Sequence, residues 1–230
     1  MAEREGAGLV RVRCPNPACR EEIDLPPARL GRNEPCPACG QVITVVPVAL
    51  RERAEAERSR GATSALARST MPVAVVLDSI RSLWNVGSIF RSADAAGAEE
   101  VWLTGYTGRP PRPEISKTAL GAEEVVPWRE AATAAGAAAE LRAMGYSILA
   151  LERNDRSVEL ARAEVAFPCA LVVGNEVAGL GEDVLEVADA VCHIPMHGLK
   201  GSLNVAVAAG VALYELRRKA ERVGLAEPGG

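Results

Sequence analysis

Three short segments of this 230-residue chain gather the side chains best suited to chemistry: NVGSIFR (residues 85–91), LVVGNEVAGL (171–180) and IPMHGLKGSLNVAVA (194–208). Small and polar residues there adjoin apolar runs, where buried strands are expected to end. Open α/β sheets place ligands at such ends, because the backbone groups beyond them have no ladder partner. Asn85, Arg91, Glu176, Ser202 and Asn204 therefore read as contributors to one composite pocket rather than to three unrelated turns. Lys200 is a candidate phosphate contact. His193 and His197 invite a general-base reading because histidine titrates near neutrality. His193 falls inside a strand-like run and His197 in a loop, so neither is assigned a catalytic role.

Four of the six cysteines form a second constellation. Cys14 and Cys19 (CPNPAC) are followed after 16 residues by Cys36 and Cys39 (CPACG). Two close pairs bring four thiolates to one point, which suits tetrahedral zinc and staples a domain too small for a large core. Gly40 suits the positive φ often needed in a metal knuckle. Disulfides are the weaker alternative without a secretion signal, and a redox pair would leave the other two cysteines unexplained. The flanks LVRVR, EEIDL and QVITVV read as short strands, giving a small β zinc ribbon over residues 1–47. Cys169 and Cys192 lie in apolar runs and read as buried small hydrophobes.

The elements that must position the three segments are legible as alternation. Strands are expected at VAVVLD, VWL, YSILAL, CALVVG and AVCHIP, and helices over residues 86–96, 129–144 and 203–218, with a polar loop over 104–116. Short apolar bursts between helices argue for an α/β fold, a mostly parallel sheet with helices on both faces. No GxGxxG follows the first strand, so the dinucleotide fingerprint is missing. Residues 48–70 read as a charged helical linker, either simply solvated or touching phosphates through its arginines, and 221–230 as a flexible tail. Apolar residues make up 48% of the chain and aromatics only 3%, so the core must be aliphatic. No run approaches the ~20 apolar residues of a membrane span, and the charged start MAEREGAGLV lacks a secretion signal's apolar centre; a cytosolic protein is expected. The net charge of −4 does not by itself forecast a nucleic-acid partner.

The three segments, in this order, resemble the motifs of the SpoU/TrmH branch of the SPOUT methyltransferases, and KTALGAEEVVPW (117–128) is similar to a stretch common in TrmH-like members. The resemblance covers about residues 71–218, within a methyltransferase domain set at 71–220, and excludes the ribbon and linker. It implies a C-terminal deep trefoil knot, a homodimer, and methyl transfer from S-adenosylmethionine to a ribose 2′-hydroxyl in tRNA or rRNA, with no membrane or DNA partner. The third motif carries Ala206 where serine is common. Residue by residue, the match assigns catalysis to Arg91, with Asn85, Glu176, Ser202 and Asn204 around it. Cofactor binding falls to Gly174, Asn175, Gly179, Ile194, Met196, Ser202 and Leu203, and RNA binding to Arg91 and Lys200. Asn85 is expected to cap its helix, with Gly87 allowing close approach of backbone or substrate. Ser202 either caps the last helix or touches ribose, and Asn204 positions Glu176 or the target nucleotide. Two other classes stay open: a catalytically silent RNA-binding or ribosome-assembly protein on the same fold, and a zinc-ribbon adaptor.

Overall fold

The computed structural model describes residues 9–45, 47–48 and 69–227, and the chain divides into two compact units, Met1–Leu66 and Ala67–Gly230. Most of the charged helical linker expected over residues 48–70 lies outside the described residues.

In the first unit, β1 (Val10–Arg13) pairs antiparallel with β2 (Glu22–Leu25), and β3 (Asn33–Pro35) with β4 (Val42–Thr44). The three flanking strands expected from the sequence are present, and β3 is an addition to them. The two knuckles are variants of one turn. Cys14 N donates to Glu21 O in one and Cys36 N to Gln41 O in the other, both at 2.8 Å. The residue after each second cysteine is left-handed, Arg20 at φ 52° and Gly40 at φ 75°. The longer first spacing is absorbed by a turn on Asn16, whose Oδ1 accepts from Ala18 N at 3.0 Å.

The second unit holds a seven-stranded sheet built from β5 (Met71–Asp78), β6 (Ala98–Thr104), β7 (Trp128–Ala131), β8 (Ser147–Leu151), β9 (Val158–Glu159), β10 (Cys169–Val173) and β11 (Ala190–His193). The order is β7-β6-β5-β10-β8-β11-β9, and every pairing is parallel. Side chains alternate between faces. Val73, Val75 and Leu77 of β5 and Cys169, Leu171 and Val173 of β10 enter one apolar cluster, whereas Ala74, Val76, Ala170 and Val172 enter the other. With both faces covered, the strands read as continuous apolar runs.

The first face is covered by α1 (Leu83–Ala96), α2 (Pro113–Ala119), α3 (Ala122–Val125) and α6 (Val205–Arg222), the second by α4 (Ala134–Ala143) and α5 (Glu182–Val187). Ala206, Ala209, Leu213, Leu216 and Ala220 form the buried stripe of α6 at helical spacing. Two expectations need correction. Residues 128–131 are a strand, not the start of a helix: pairing with β6 overrides the helix preference of Arg129, Glu130 and Ala131. The loop expected over 104–116 gives way to α2 at Pro113, a residue whose fixed φ suits the first helical turn.

Candidate active site

Register decides which loops meet. Val173 stands opposite Leu77 on one side and Leu151 on the other, and Leu151 opposite Cys192. Four parallel strands therefore end level, and the chain after each emerges at one edge of the sheet. At that edge a cavity of about 300 Å³ is lined by all seven residues assigned to the cofactor: Gly174, Asn175, Gly179, Ile194, Met196, Ser202 and Leu203.

The loop after β10 is held tightly. Asn175 and Gly179 exchange backbone hydrogen bonds of 3.2 and 3.0 Å, and Asn175 Oδ1 accepts from Val177 N and Ala178 N. Asn175 Nδ2 donates to Ser79 O and Tyr106 Oη, both at 2.7 Å, so this side chain is spent on fixing the loop. Gly174 is forced by proximity, since a Cβ would lie 2.5 Å from the Gly179 carbonyl carbon. Gly179 has φ +70°, and its Cβ would meet Glu152 Oε2 at 2.4 Å.

Glu176 is presented by this loop to the start of α1. Its Oε2 accepts from Arg81 N at 2.9 Å, and its Oε1 from Ser82 N at 3.1 Å and Asn85 Nδ2 at 2.8 Å. Asn204 Nδ2 donates to Asn85 Oδ1 at 3.0 Å, while Asn204 Oδ1 accepts from Ala206 N and Val207 N. Chemistry dictates both amide orientations. A carboxylate only accepts and helix-end N–H groups only donate, so the relay runs from α6 through Asn204 and Asn85 to Glu176. Burial pushes the Glu176 carboxyl up, but hydrogen bonds led by Arg81 N and Asn85 outweigh it and hold it below its ordinary value. An anion at the positive end of a helix is favoured by the aligned peptide dipoles as well. The group is thus an ionised anchor joining all three sequence segments, not a free base.

The caps differ from expectation. Ser82, not Asn85, caps α1, its Oγ accepting from Asn85 N at 3.4 Å, so the helix starts at Leu83 rather than at residue 86. Asn204, not Ser202, caps α6, which starts at Val205 and runs to Arg222. Freed of capping, Asn85 turns its amide to Glu176 and Ser202 lines the cavity. Gly87 serves backbone rather than substrate: a Cβ there would lie 2.3 Å from Ile115 O of α2.

Arg91 is exposed, with no ion pair among the described residues. It lies about 9 Å along α1 from Asn85 and on a different face, outside the relay. Lys200 and His197 are exposed on the segment between β11 and α6. His193 lines the cavity and shares a 2.9 Å hydrogen bond with Ser157 Oγ. Sequence reasoning missed Glu152, which also lines the cavity. Its Oε2 accepts from Leu180 N and its Oε1 from Arg153 N, both at 2.9 Å. The signal was available, since Glu152 directly follows the apolar run YSILAL. A larger groove of about 920 Å³ lies between the end of α1 and α6, and none of Asn85, Arg91, Glu176 and Asn204 lines it.

In the first unit the four sulfurs lie within 4.8 Å of one another, with Cys14–Cys39 at 3.6 Å and Cys19–Cys36 at 3.8 Å, and no disulfide joins them. Four sulfurs bonded at ~2.3 Å to a tetrahedral zinc lie about 3.8 Å apart. The donor set therefore fits zinc. A backbone hydrogen bond from Gln41 pulls the Cys39 thiol down to about 7, whereas burial pushes the Cys14 thiol up to about 12.

Among the described residues, no helix is long and apolar enough to cross a membrane. The chain is 32% identical over 160 residues to the tRNA (guanosine(18)-2'-O)-methyltransferase of Escherichia coli (strain K12), an alignment covering 70% of this chain and 69% of that protein. Its fold is similar to the A. aeolicus TrmH/SpoU tRNA modifying enzyme, with TM-score 0.63 and 28% identity over 77% of this chain and 87% of that one. It is also similar to the AdoMet-bound rRNA methyltransferase from Sinorhizobium meliloti, with TM-score 0.60 and 34% identity over 64% of this chain and 56% of that one. The SpoU rRNA Methylase family model matches residues 72–214, which take in all three motifs and the relay they form, and the chain belongs to that family.

Proposed function

We propose that the chain is an S-adenosylmethionine-dependent methyltransferase acting on a ribose 2′-hydroxyl of tRNA or rRNA. The observation that carries this reading is the cavity at the sheet edge, lined by the seven expected residues and walled by the loop that the Glu176–Asn85–Asn204 relay ties down. Its glycines and aliphatic residues suit backbone and apolar contact with a cofactor, and Glu152, His193 and Ser202 add polar groups to the wall. The cofactor supplies an electrophilic methyl group on a sulfonium centre. The chain must align a weakly acidic hydroxyl with it and exclude water. Arg91 is too basic to accept a proton in a protein. Its role is to grip a phosphate and stabilise developing charge on the ribose oxygen, with Lys200 as a second phosphate contact. Glu176, with its oxygens already engaged, positions the start of α1.

The same reading includes the threaded C-terminal path, a cytosolic setting, one structural zinc on Cys14, Cys19, Cys36 and Cys39, and a homodimer. Val207, Val211 and Tyr214 are exposed along one side of α6, and the last two line the 920 Å³ groove, which suits a second copy.

Methyl incorporation from labelled S-adenosylmethionine into separated tRNA and rRNA lacking native modification tests the assignment. Label is expected in one fraction, reduced at least ~100-fold in Arg91→Ala while cofactor affinity holds. Absence of label in both, despite cofactor binding, would favour the silent binder.

A further inference from the structure

Resting on that reading, we propose that Trp84 and Lys117 form a stacking seat for an unpaired base of the RNA, next to the nucleotide being methylated. Trp84 immediately precedes Asn85 and is 48% exposed. Lys117 Nζ lies 5.6 Å from the indole centroid. A π face beside an ammonium matches what an unstacked nucleotide presents, a base and a phosphate.

The pair is built on fixed elements. Thr118 Oγ1 and Ser88 Oγ donate to the Trp84 carbonyl at 3.0 and 2.8 Å. Gly87 lets α1 and α2 touch backbone to backbone, so the helix carrying the indole and the helix carrying the ammonium are locked together. Trp84, Ser88 and Arg91 stand at the i, i+4, i+7 spacing of one helix face. The seat is therefore continuous with the cation assigned to the RNA backbone.

A second copy of the chain is the competing occupant of an exposed tryptophan. Lysine is depleted in the cores of protein interfaces. On α1 the apolar groove suited to a copy, lined by Ala95, Val211 and Tyr214, begins at Asp94, about 15 Å beyond Trp84.

The test uses the full-length protein and fluorescein-labelled RNA from whichever fraction the wild type methylates, with binding read by anisotropy. Trp84→Ala weakens binding about tenfold, Trp84→Phe restores most of it through its remaining π face, and Lys117→Gln costs about twofold. Calorimetric cofactor binding verifies that each variant is folded. A Trp84→Ala protein that binds RNA as the wild type does overturns the stacking seat and leaves the methyltransferase reading standing. A Trp84→Ala protein that sediments as a monomer where the wild type is a dimer assigns the indole to a contact between copies and also overturns it. A wild type that methylates neither fraction removes the reading itself, and the seat with it.

Discussion

In the N-terminal unit Cys14, Cys36 and Ile43 make up the buried cluster, with Cys19 and Ile23 packed beside them; the sheet unit buries two clusters, one on each face. Five side chains are buried among the ribbon's described residues, Val12, Cys14, Cys36, Ile43 and Val45, and two of them are themselves candidate metal ligands. In the sheet unit the candidate catalytic residues Asn85, Arg91, Glu176, Ser202 and Asn204 all lie outside both clusters. Order and chemistry thus coincide in the ribbon and are separated in the sheet unit. There, aliphatic packing sets the strands level, and function lies in loops beyond their ends. A domain as small as the ribbon buries too little apolar surface to offset chain entropy alone, so removing its metal should remove its fold. The sheet unit can lose a site residue and keep its architecture.

The largest effect expected is on the ribbon. Cys36→Ser, or chelation of the wild type, should abolish zinc binding and ordered structure there, since structural zinc contributes ~10 kcal/mol or more in peptides of this kind. Elemental analysis and hydrogen exchange over residues 9–45 check this, with the sheet unit's thermal transition expected to stay in place. Full metal retention in Cys36→Ser, or loss of the sheet transition, would break the comparison.

Gly87→Ala comes next and sharpens it from the other side. The added Cβ lies 2.3 Å from a backbone carbonyl of α2, which cannot rotate away. Overpacking of this kind costs about 1–3 kcal/mol. Denaturant unfolding should show the loss in the sheet unit, with zinc content unchanged; a variant as stable as wild type would mean that α1 and α2 part easily.

The smallest effect is the pH dependence contributed by Glu176. Its carboxyl is held below the ordinary value in the folded state, so its stabilisation is present above the unfolded carboxylate range and fades as pH falls through the folded value. Stability of the wild type should therefore drop more steeply than that of Glu176→Gln between about pH 5 and 3. Parallel curves would show that the relay carries no net charge-dependent stability.

Residue types at the site were legible because each segment is locally unusual: an Asn and an Arg bracketing a short helix start, a Glu between glycines, a Ser and an Asn after a glycine-rich loop. What these groups do to one another was not. Asn85 and Glu176 meet across a separation of 91 positions, and Asn204 reaches Asn85 across one of 119. The capping roles went to Ser82 and Asn204 because a cap depends on where the backbone enters the helix, and that entry is set by the sheet beneath. Glu152 escaped notice because no motif surrounds it; only the level ending of β8 and β10 brings its carboxylate to Leu180.

The sequence by itself determined the alternating α/β class, the four-cysteine cluster and the three segments of the candidate site. These depend on local period, local spacing and side-chain type, which a linear chain displays directly. The tertiary structure alone decided the wholly parallel strand order, the strand at residues 128–131, the choice of caps and the relay from Asn204 to Glu176. Each of these follows from which distant strands lie side by side and in what register, a matter of packing between segments that no local pattern encodes.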